Sequence, residues 1–234
     1  MVQSGSTQGA KDRRGGPPLA LLAAISLALL IAGVVTSAVL GGVFPSPFSD
    51  PAVIERYVAG EPDAVVASAV FGLASAVALV LYAAAGAARV RDLAGERSDS
   101  TIALAGGTLA GGMLAGSALV QWVLTREPVR ADVPLVRALH DLAFLTGGVG
   151  HVVFLGVLVA GLAVLGQIPR ALAIAGLVIA AVAGLSIVSL VWTGTAVLLP
   201  AARFPGLLWL IVTGALLARR GATPVPAATE GVSR

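Results

Sequence analysis

The chain has 234 residues, of which 57% are hydrophobic and 12% charged, and its mean hydropathy is +0.96. Soluble domains carry about 25% charged residues, so this composition excludes an ordinary soluble protein and indicates an integral membrane protein. The net charge of +3 comes from arginines dispersed at the ends of apolar segments, so we expect no nucleic-acid binding. Cysteine is absent, which excludes disulfides and thiolate chemistry.

Six apolar segments predict an all-α polytopic bundle of six transmembrane helices, because a helix crossing a hydrocarbon core of about 30 Å needs about 20 apolar residues. The first follows Lys11, Arg13 and Arg14 and is too long for the apolar core of a signal peptide, so we interpret it as a span. The last is the shortest, enough for about 22 Å of helix. The predicted spans are 18–43, 64–88, 101–123, 139–165, 171–199 and 204–218.

The distribution of arginine and lysine predicts that both termini lie in the cytoplasm. With that orientation ten basic residues lie on the inner side and five on the outer side, as the positive-inside rule requires. Residues 1–16 and 220–234 are polar and are predicted to be disordered on either side of a transmembrane domain at 17–219. In the first outer connection, Asp50 as N-cap and Pro51 in the first turn predict a short helix over residues 52–59.

Glycines spaced by four residues predict close helix packing, since small residues let backbones approach inside a membrane. They occur in the third and fifth predicted spans, which we therefore expect to be central. A homodimer seam is the alternative use of this spacing, and the oligomeric state stays open. The predicted packing glycines are Gly107, Gly111, Gly112, Gly116, Gly176 and Gly184.

The fourth predicted span carries His140, Asp141 and His151, and ionisable residues inside a membrane are a functional hypothesis by default. The two histidines are eleven residues apart, so in an α-helix they share a face about 16.5 Å apart along the axis. His151 would lie near the midplane. Asp141 can pair with Arg137 four residues earlier.

The functional hypothesis is a shallow cavity in the outer half, floored by His151. The alternative for His151 is a structural hydrogen bond to Thr193 or Thr195 in the fifth span. All three tryptophans are expected on the outer side, where an aromatic belt is the ordinary explanation. The candidate ligand-binding residues are His151, His140, Asp141, Gln121, Trp192, Thr193 and Thr195.

No catalytic, metal or cofactor motif is present. Two histidines on one helix face cannot coordinate a haem iron from opposite sides of the porphyrin, and they are too far apart to share a zinc ion. Phosphate-binding loops, zinc-protease motifs and nucleophile elbows are missing from the sequence. We therefore expect no catalytic residue, no bound metal and no cofactor.

Residues 138–144, 147–156 and 166–176 resemble the best-marked region of the DUF4386-type bacterial membrane proteins. In that family a Leu-His-x-x-x-Phe motif opens one span, here at Leu139 to Phe144, and a short turn with Pro-Arg leads into the next, here at Pro169 and Arg170. The resemblance implies a six-span protein without an assigned activity. The rich use of Ala, Val, Gly and Arg is typical of a high-GC bacterium, which implies the bacterial cytoplasmic membrane.

Two classes of function stay open at this point. The first is a non-enzymatic protein, surrounded by membrane lipids, that binds a small hydrophobic ligand, a lipid or a protein through its outer half. The second is a small proton-linked transporter or channel that uses His151; it ranks lower because such proteins usually need several buried ionisable groups. A membrane redox enzyme is a remote third.

Overall fold

The computed structural model describes residues 18–94 and 100–220, and within them the protein is an all-α bundle. Six helices are long and apolar enough to cross a membrane, as predicted. The predicted tails therefore lie outside the described residues, apart from Arg220. The helices are α1 (Leu19–Gly41), α2 (Pro51–Gly60), α3 (Pro62–Ala94), α4 (Thr101–Leu124), α5 (Glu127–Arg130), α6 (Val133–Phe144), α7 (His151–Val164), α8 (Arg170–Leu185) and α9 (Leu198–Arg220).

The outer half of the bundle, named from the predicted orientation, carries the connections between α1 and α3, α4 and α6, and α8 and α9. The first connection contains the predicted short helix, which is confirmed as α2. The Asp50 side chain accepts a hydrogen bond from the Ala52 backbone nitrogen at 2.8 Å, and Pro51 occupies the first turn. Tyr57 of α2 is buried, and its hydroxyl lies 3.2 Å from the Ser37 hydroxyl of α1. This connection therefore packs against α1.

The fourth span begins six residues before the predicted start at Leu139. Asp132 caps α6 by accepting from the Leu135 backbone nitrogen at 3.1 Å, and Pro134 lies in the first turn. The span is not a uniform α-helix, because residues Leu145–Gly150 form a π-helix between α6 and α7. A π-helix turn holds more residues than an α-turn, so the predicted common face for the two histidines of this span is wrong.

The fifth and sixth spans divide at a different place from the predicted one. α8 ends at Leu185, where Ser186 donates to the Ala183 carbonyl at 2.6 Å and the chain enters two 3₁₀ turns, Ser186–Leu190 and Thr193–Val197. α9 then begins at Leu198, six residues before the predicted start. Its length of 23 residues spans about 35 Å, so the short sixth segment of the prediction is a full-length helix.

The third and fourth spans form the centre of the bundle, and α8 is the least buried span. The prediction of a central third span is thus correct and that of a central fifth span is wrong. A Cβ at Gly106 would lie 2.5 Å from the Leu158 backbone nitrogen, so the backbones of α4 and α7 nearly touch. Gly107, Gly111 and Gly176 also have close neighbours, whereas within the described residues no atom lies within 4 Å of a Cβ at Gly112, Gly116 or Gly184.

Candidate functional site

A cavity of about 430 Å³ lies in the outer half of the bundle. Its walls come from α1, α3, α4, α6, the π-helix and α9, and residues 44–48 of the first connection cover it. The lining is mainly apolar and includes four aromatic side chains, Phe44, Phe48, Phe144 and Phe204. The polar side chains in the lining are those of Ser46, Ser68, Ser117, Gln121, His140 and Arg203.

His140 of α6 is held in the cavity wall by an aromatic stack. Its imidazole is 1% exposed and lies parallel to the Phe44 ring, with centroids 5.3 Å apart and an angle of 6° between the planes. Neither ring nitrogen has a hydrogen-bond partner in the part of the chain that the structure describes. The nearest carboxylate, Asp141, is 4.0 Å from Nδ1, and the backbone of Pro45 approaches the ring without hydrogen-bond geometry. The imidazole is therefore a buried polar group with unused hydrogen-bonding capacity.

Arg203 of α9 brings a positive charge to the same cavity. Its Nη2 donates to the carbonyl of Gly147 in the π-helix, which ties α9 to the fourth span. Its Nε is buried and has no partner among residues 18–94 and 100–220. The helix start at Leu198 places this residue inside the sixth span, whereas the predicted span of 204–218 excluded it.

Ser117 and Gln121 of α4 complete the polar part of the lining. Ser117 donates to the Ala143 carbonyl at 2.8 Å, and Gln121 Nε2 lies 3.4 Å from the Ser117 hydroxyl oxygen. Gln121 Oε1 is buried and has no partner within the described ranges. Gly147 allows this approach, since a Cβ there would lie 2.6 Å from Ser117 Cβ. The π-helix and α4 thus meet directly below the cavity.

His151 lies elsewhere, although it is also 1% exposed. Its Nδ1 is 3.0 Å from the Ala110 carbonyl of α4, and the residue does not line the cavity. The predicted hydrogen bond to Thr193 or Thr195 is therefore wrong, and a contact across the bundle core holds this imidazole.

The remaining predicted site residues lie outside the cavity lining. Asp141 pairs with Arg137 at 3.2 Å, as the spacing predicted. Trp192, Thr193 and Thr195 lie in the connection between α8 and α9, where Thr195 donates to the Trp192 carbonyl at 2.7 Å and Trp192 is 66% exposed. Of the seven predicted site residues, the cavity thus brings together His140 and Gln121.

The tryptophans are not all on the outer side. Trp209 is buried in α9, where its Nε1 donates to the Leu172 carbonyl near the start of α8 at 2.8 Å. Its ring lies against Gly176, where a Cβ would be 2.7 Å from the ring atom Cζ2. Trp209 is therefore a packing residue of the inner half.

Three features of the site were not predicted from the sequence: Arg203, the aromatic cover at residues 44–48 and the π-helix. One signal for Arg203 was available, because a sixth span beginning at Phe204 is too short for a bilayer and a start near Leu198 is not. Three glycines within four residues, Gly147, Gly148 and Gly150, were the local hint of an irregular helix. Among the described residues no group of three or more His, Cys, Asp or Glu is placed to hold a metal ion.

Comparison of the chain with known protein families, curated proteins and solved structures finds no match. The resemblance to the DUF4386-type proteins therefore stays a prediction. The evidence for the function of the protein therefore comes from its own cavity.

Proposed function

We propose that this integral membrane protein binds a small amphipathic, lipid-like molecule in the outer cavity, and that it does so in the cytoplasmic membrane of a bacterium. The observation that carries the proposal is a cavity of about 430 Å³ whose wall contains buried polar atoms without partners, those of His140, Gln121 and Arg203. Buried polar groups in folded proteins are normally hydrogen-bonded. A ligand with a polar head would supply the partners.

The size and chemistry of the cavity support a small-molecule site. Ligand sites typically enclose about 300–1,000 Å³ and combine an apolar lining with a few polar groups that orient the ligand. Here Phe44, Phe144 and Leu114 belong to the apolar part, while the polar groups come from α4, α6 and α9. The adjoining π-helix adds support, because such irregular turns occur frequently at functional sites.

The arrangement of α1 and α9 supports entry of a ligand into the cavity from the membrane. These helices touch closely near the inner end, where a Cβ at Gly214 would lie 2.8 Å from the Ala20 backbone nitrogen. In the outer half, the cavity-lining residues Val34 and Phe204 are 61% and 37% exposed. An apolar chain would therefore enter sideways between α1 and α9, without crossing water.

Binding fits the polar groups better than catalysis does. The Ser117 hydroxyl donates to the Ala143 carbonyl, so its proton is not directed at a base. Nucleophilic catalysis needs a base within hydrogen-bond reach of the nucleophile, and the described residues contain no such contact. The location of His151 outside the cavity lining likewise gives a proton-linked route no support.

Photolabelling in phosphatidylcholine nanodiscs tests the proposal. The probes are a dodecanoic acid with a terminal diazirine and its methyl ester, and mass spectrometry locates the labelled peptides. Gly72→Leu fills the cavity from α3, where a Cβ makes an ordinary contact of 3.6 Å with Ala118. Gly112→Leu is the matched control, because within the described residues no atom lies within 4 Å of its Cβ position.

We expect saturable labelling of peptides that contain residues 114–121 and 140–148 in the wild type and in Gly112→Leu. Gly72→Leu should weaken this labelling about tenfold or more, because the ligand would lose most of its buried apolar area. Equal labelling of all three proteins, or labelling spread evenly over lipid-facing peptides, would contradict the proposal.

A further inference from the structure

Arg203 is a charged group whose surroundings lack an opposite charge. None of the described residues that line the cavity is acidic. The carboxylate nearest to His140, that of Asp141, already pairs with Arg137 at 3.2 Å. Within residues 18–94 and 100–220, the polar contact of Arg203 is with the Gly147 carbonyl, which is neutral. The cavity of the proposed function is therefore positively charged.

The depth of Arg203 makes this unpaired charge significant. Sixteen residues separate it from Arg219 at the inner end of α9, which is about 24 Å along the helix and leaves it several Å inside a 30 Å hydrocarbon core. A charged side chain inside a membrane is costly unless it is paired or reaches water. Nε is buried without a partner among the described residues, although the side chain as a whole is partly exposed.

Two further polar groups line the same cavity without partners. They are the His140 imidazole, which can donate at least one hydrogen bond, and Gln121 Oε1, which can accept one. A neutral apolar molecule would leave all three groups unsatisfied. A headgroup with several acceptor oxygens would bind Arg203 and His140 together, and a monoprotonated phosphate would in addition donate to Gln121 Oε1.

We propose that the ligand is an amphipathic anion with a single carboxylate or phosphate monoester head against Arg203 and an apolar chain directed towards the gap between α1 and α9. This inference rests on the proposed function and specifies the class of ligand. Charge-assisted hydrogen bonds to guanidinium are the strongest that such a cavity can offer. The anionic head is the chemistry that a fatty acid and a lysophosphatidic acid or alkyl phosphate have in common.

The test compares the photoreactive dodecanoic acid with its methyl ester, with concentrations expressed per mole of lipid. The variants are Arg203→Gln, Arg203→Lys and the control Arg126→Gln, since Arg126 lies outside the cavity, over the Trp122 ring at 4.9 Å. Gln121→Glu is a second way to remove the net charge, because it adds a carboxylate to the lining without changing the shape of the side chain. Unlabelled dodecanoate and dodecyl phosphate compete in separate arms to separate the two headgroups.

The wild type should bind the acid about tenfold more tightly than the ester, as expected for one charge-assisted hydrogen bond. Arg203→Gln and Gln121→Glu should weaken binding of the acid about tenfold relative to the ester, while Arg203→Lys and Arg126→Gln keep the preference. If Arg203→Gln does not fold, the comparison of Gln121→Glu with wild type decides the question.

Equal binding of acid and ester in the wild type, still blocked by Gly72→Leu, would overturn this inference and leave the proposed function standing. Persistence of the tenfold preference in Arg203→Gln would overturn it too, as would parallel loss of both probes, which would make Arg203 a structural residue. No cavity labelling by either probe contradicts the proposed function itself.

Discussion

The inner and outer halves of the bundle are held together by different means. In the inner half, backbones meet directly: a Cβ at Gly106 would lie 2.5 Å from the Leu158 nitrogen, and one at Gly161 would lie 2.7 Å from the Ala103 nitrogen. Polar groups there mostly have partners, as with the Tyr82 hydroxyl, which donates to the Leu210 carbonyl at 3.0 Å. The exceptions among the described inner residues are the Thr213 hydroxyl and His151 Nε2.

In the outer half the same helices stand apart around a cavity of about 430 Å³. Within the described residues, three buried groups in the cavity wall have no partner, namely the His140 imidazole, Gln121 Oε1 and Arg203 Nε, and a loop with aromatic side chains covers the cavity. Close contacts occur in the outer half too, as between Gly147 and Ser117, but there they lie beside an open space. Space and unsatisfied polar atoms occur together, which is the combination that a ligand site requires.

The largest effect on stability is expected from Gly106→Ala in the inner half. The new methyl group would meet the α7 backbone, which cannot move aside as a side chain can, so we expect a loss of about 3 kcal/mol. The midpoint of thermal unfolding in detergent should fall by roughly 6 to 12 °C. Gly112→Ala is the control and should leave the midpoint unchanged; a fall of similar size there would contradict the difference in packing.

The two histidines allow a more specific comparison. His140 lies in the wall of the outer cavity, whereas His151 lies in the bundle core against α4. His151→Phe removes the contact with the Ala110 carbonyl and should destabilise the protein by about 0.6 to 1.7 kcal/mol, the range for hydrogen bonds between membrane helices. His140→Phe retains the stack on Phe44 and removes buried nitrogens without partners, so stability should stay the same or rise. Thermal unfolding measures both, and destabilisation by His140→Phe alone would reverse the assignment.

The smallest effect is expected from Asp141→Asn at the outer surface. The pair with Arg137 is half-exposed and four residues apart on one helix, so its contribution should stay below about 0.5 kcal/mol. Asp141 does not line the cavity, so photolabelling of the cavity should also be unchanged. A clear loss of labelling would return Asp141 to the ligand-binding residues.

The sequence was sufficient for features that depend on local chemistry. Six apolar runs predict six spans because each must satisfy its own backbone in lipid, and Asp50 with Pro51 predicts α2 because a cap and a first-turn proline act within four residues. The Arg137–Asp141 pair follows from helix geometry in the same way. His140 and Gln121 were identified as polar residues near the outer end, and both line the cavity.

The features that were missed depend on contacts between helices. The π-helix at Leu145–Gly150 changes the register of the fourth span, and it contacts another helix where Gly147 approaches Ser117. Arg203 lies between Pro200 and Pro205, in the connection between the predicted spans 171–199 and 204–218. Pro200 instead lies in the first turn of α9, where no backbone donor is needed, so the arginine is carried into the span.

The central claim, an accessible cavity in the outer half above a closed inner half, is tested most directly by two single cysteines in a chain that otherwise has none. Ala118→Cys lies in the cavity wall on α4, and Ala110→Cys lies two turns away on the same helix; the native alanines are 3% and 0% exposed. A small uncharged thiol reagent should modify the first cysteine about tenfold faster or more, and dodecanoate should protect it. Equally slow modification of both cysteines would contradict the account.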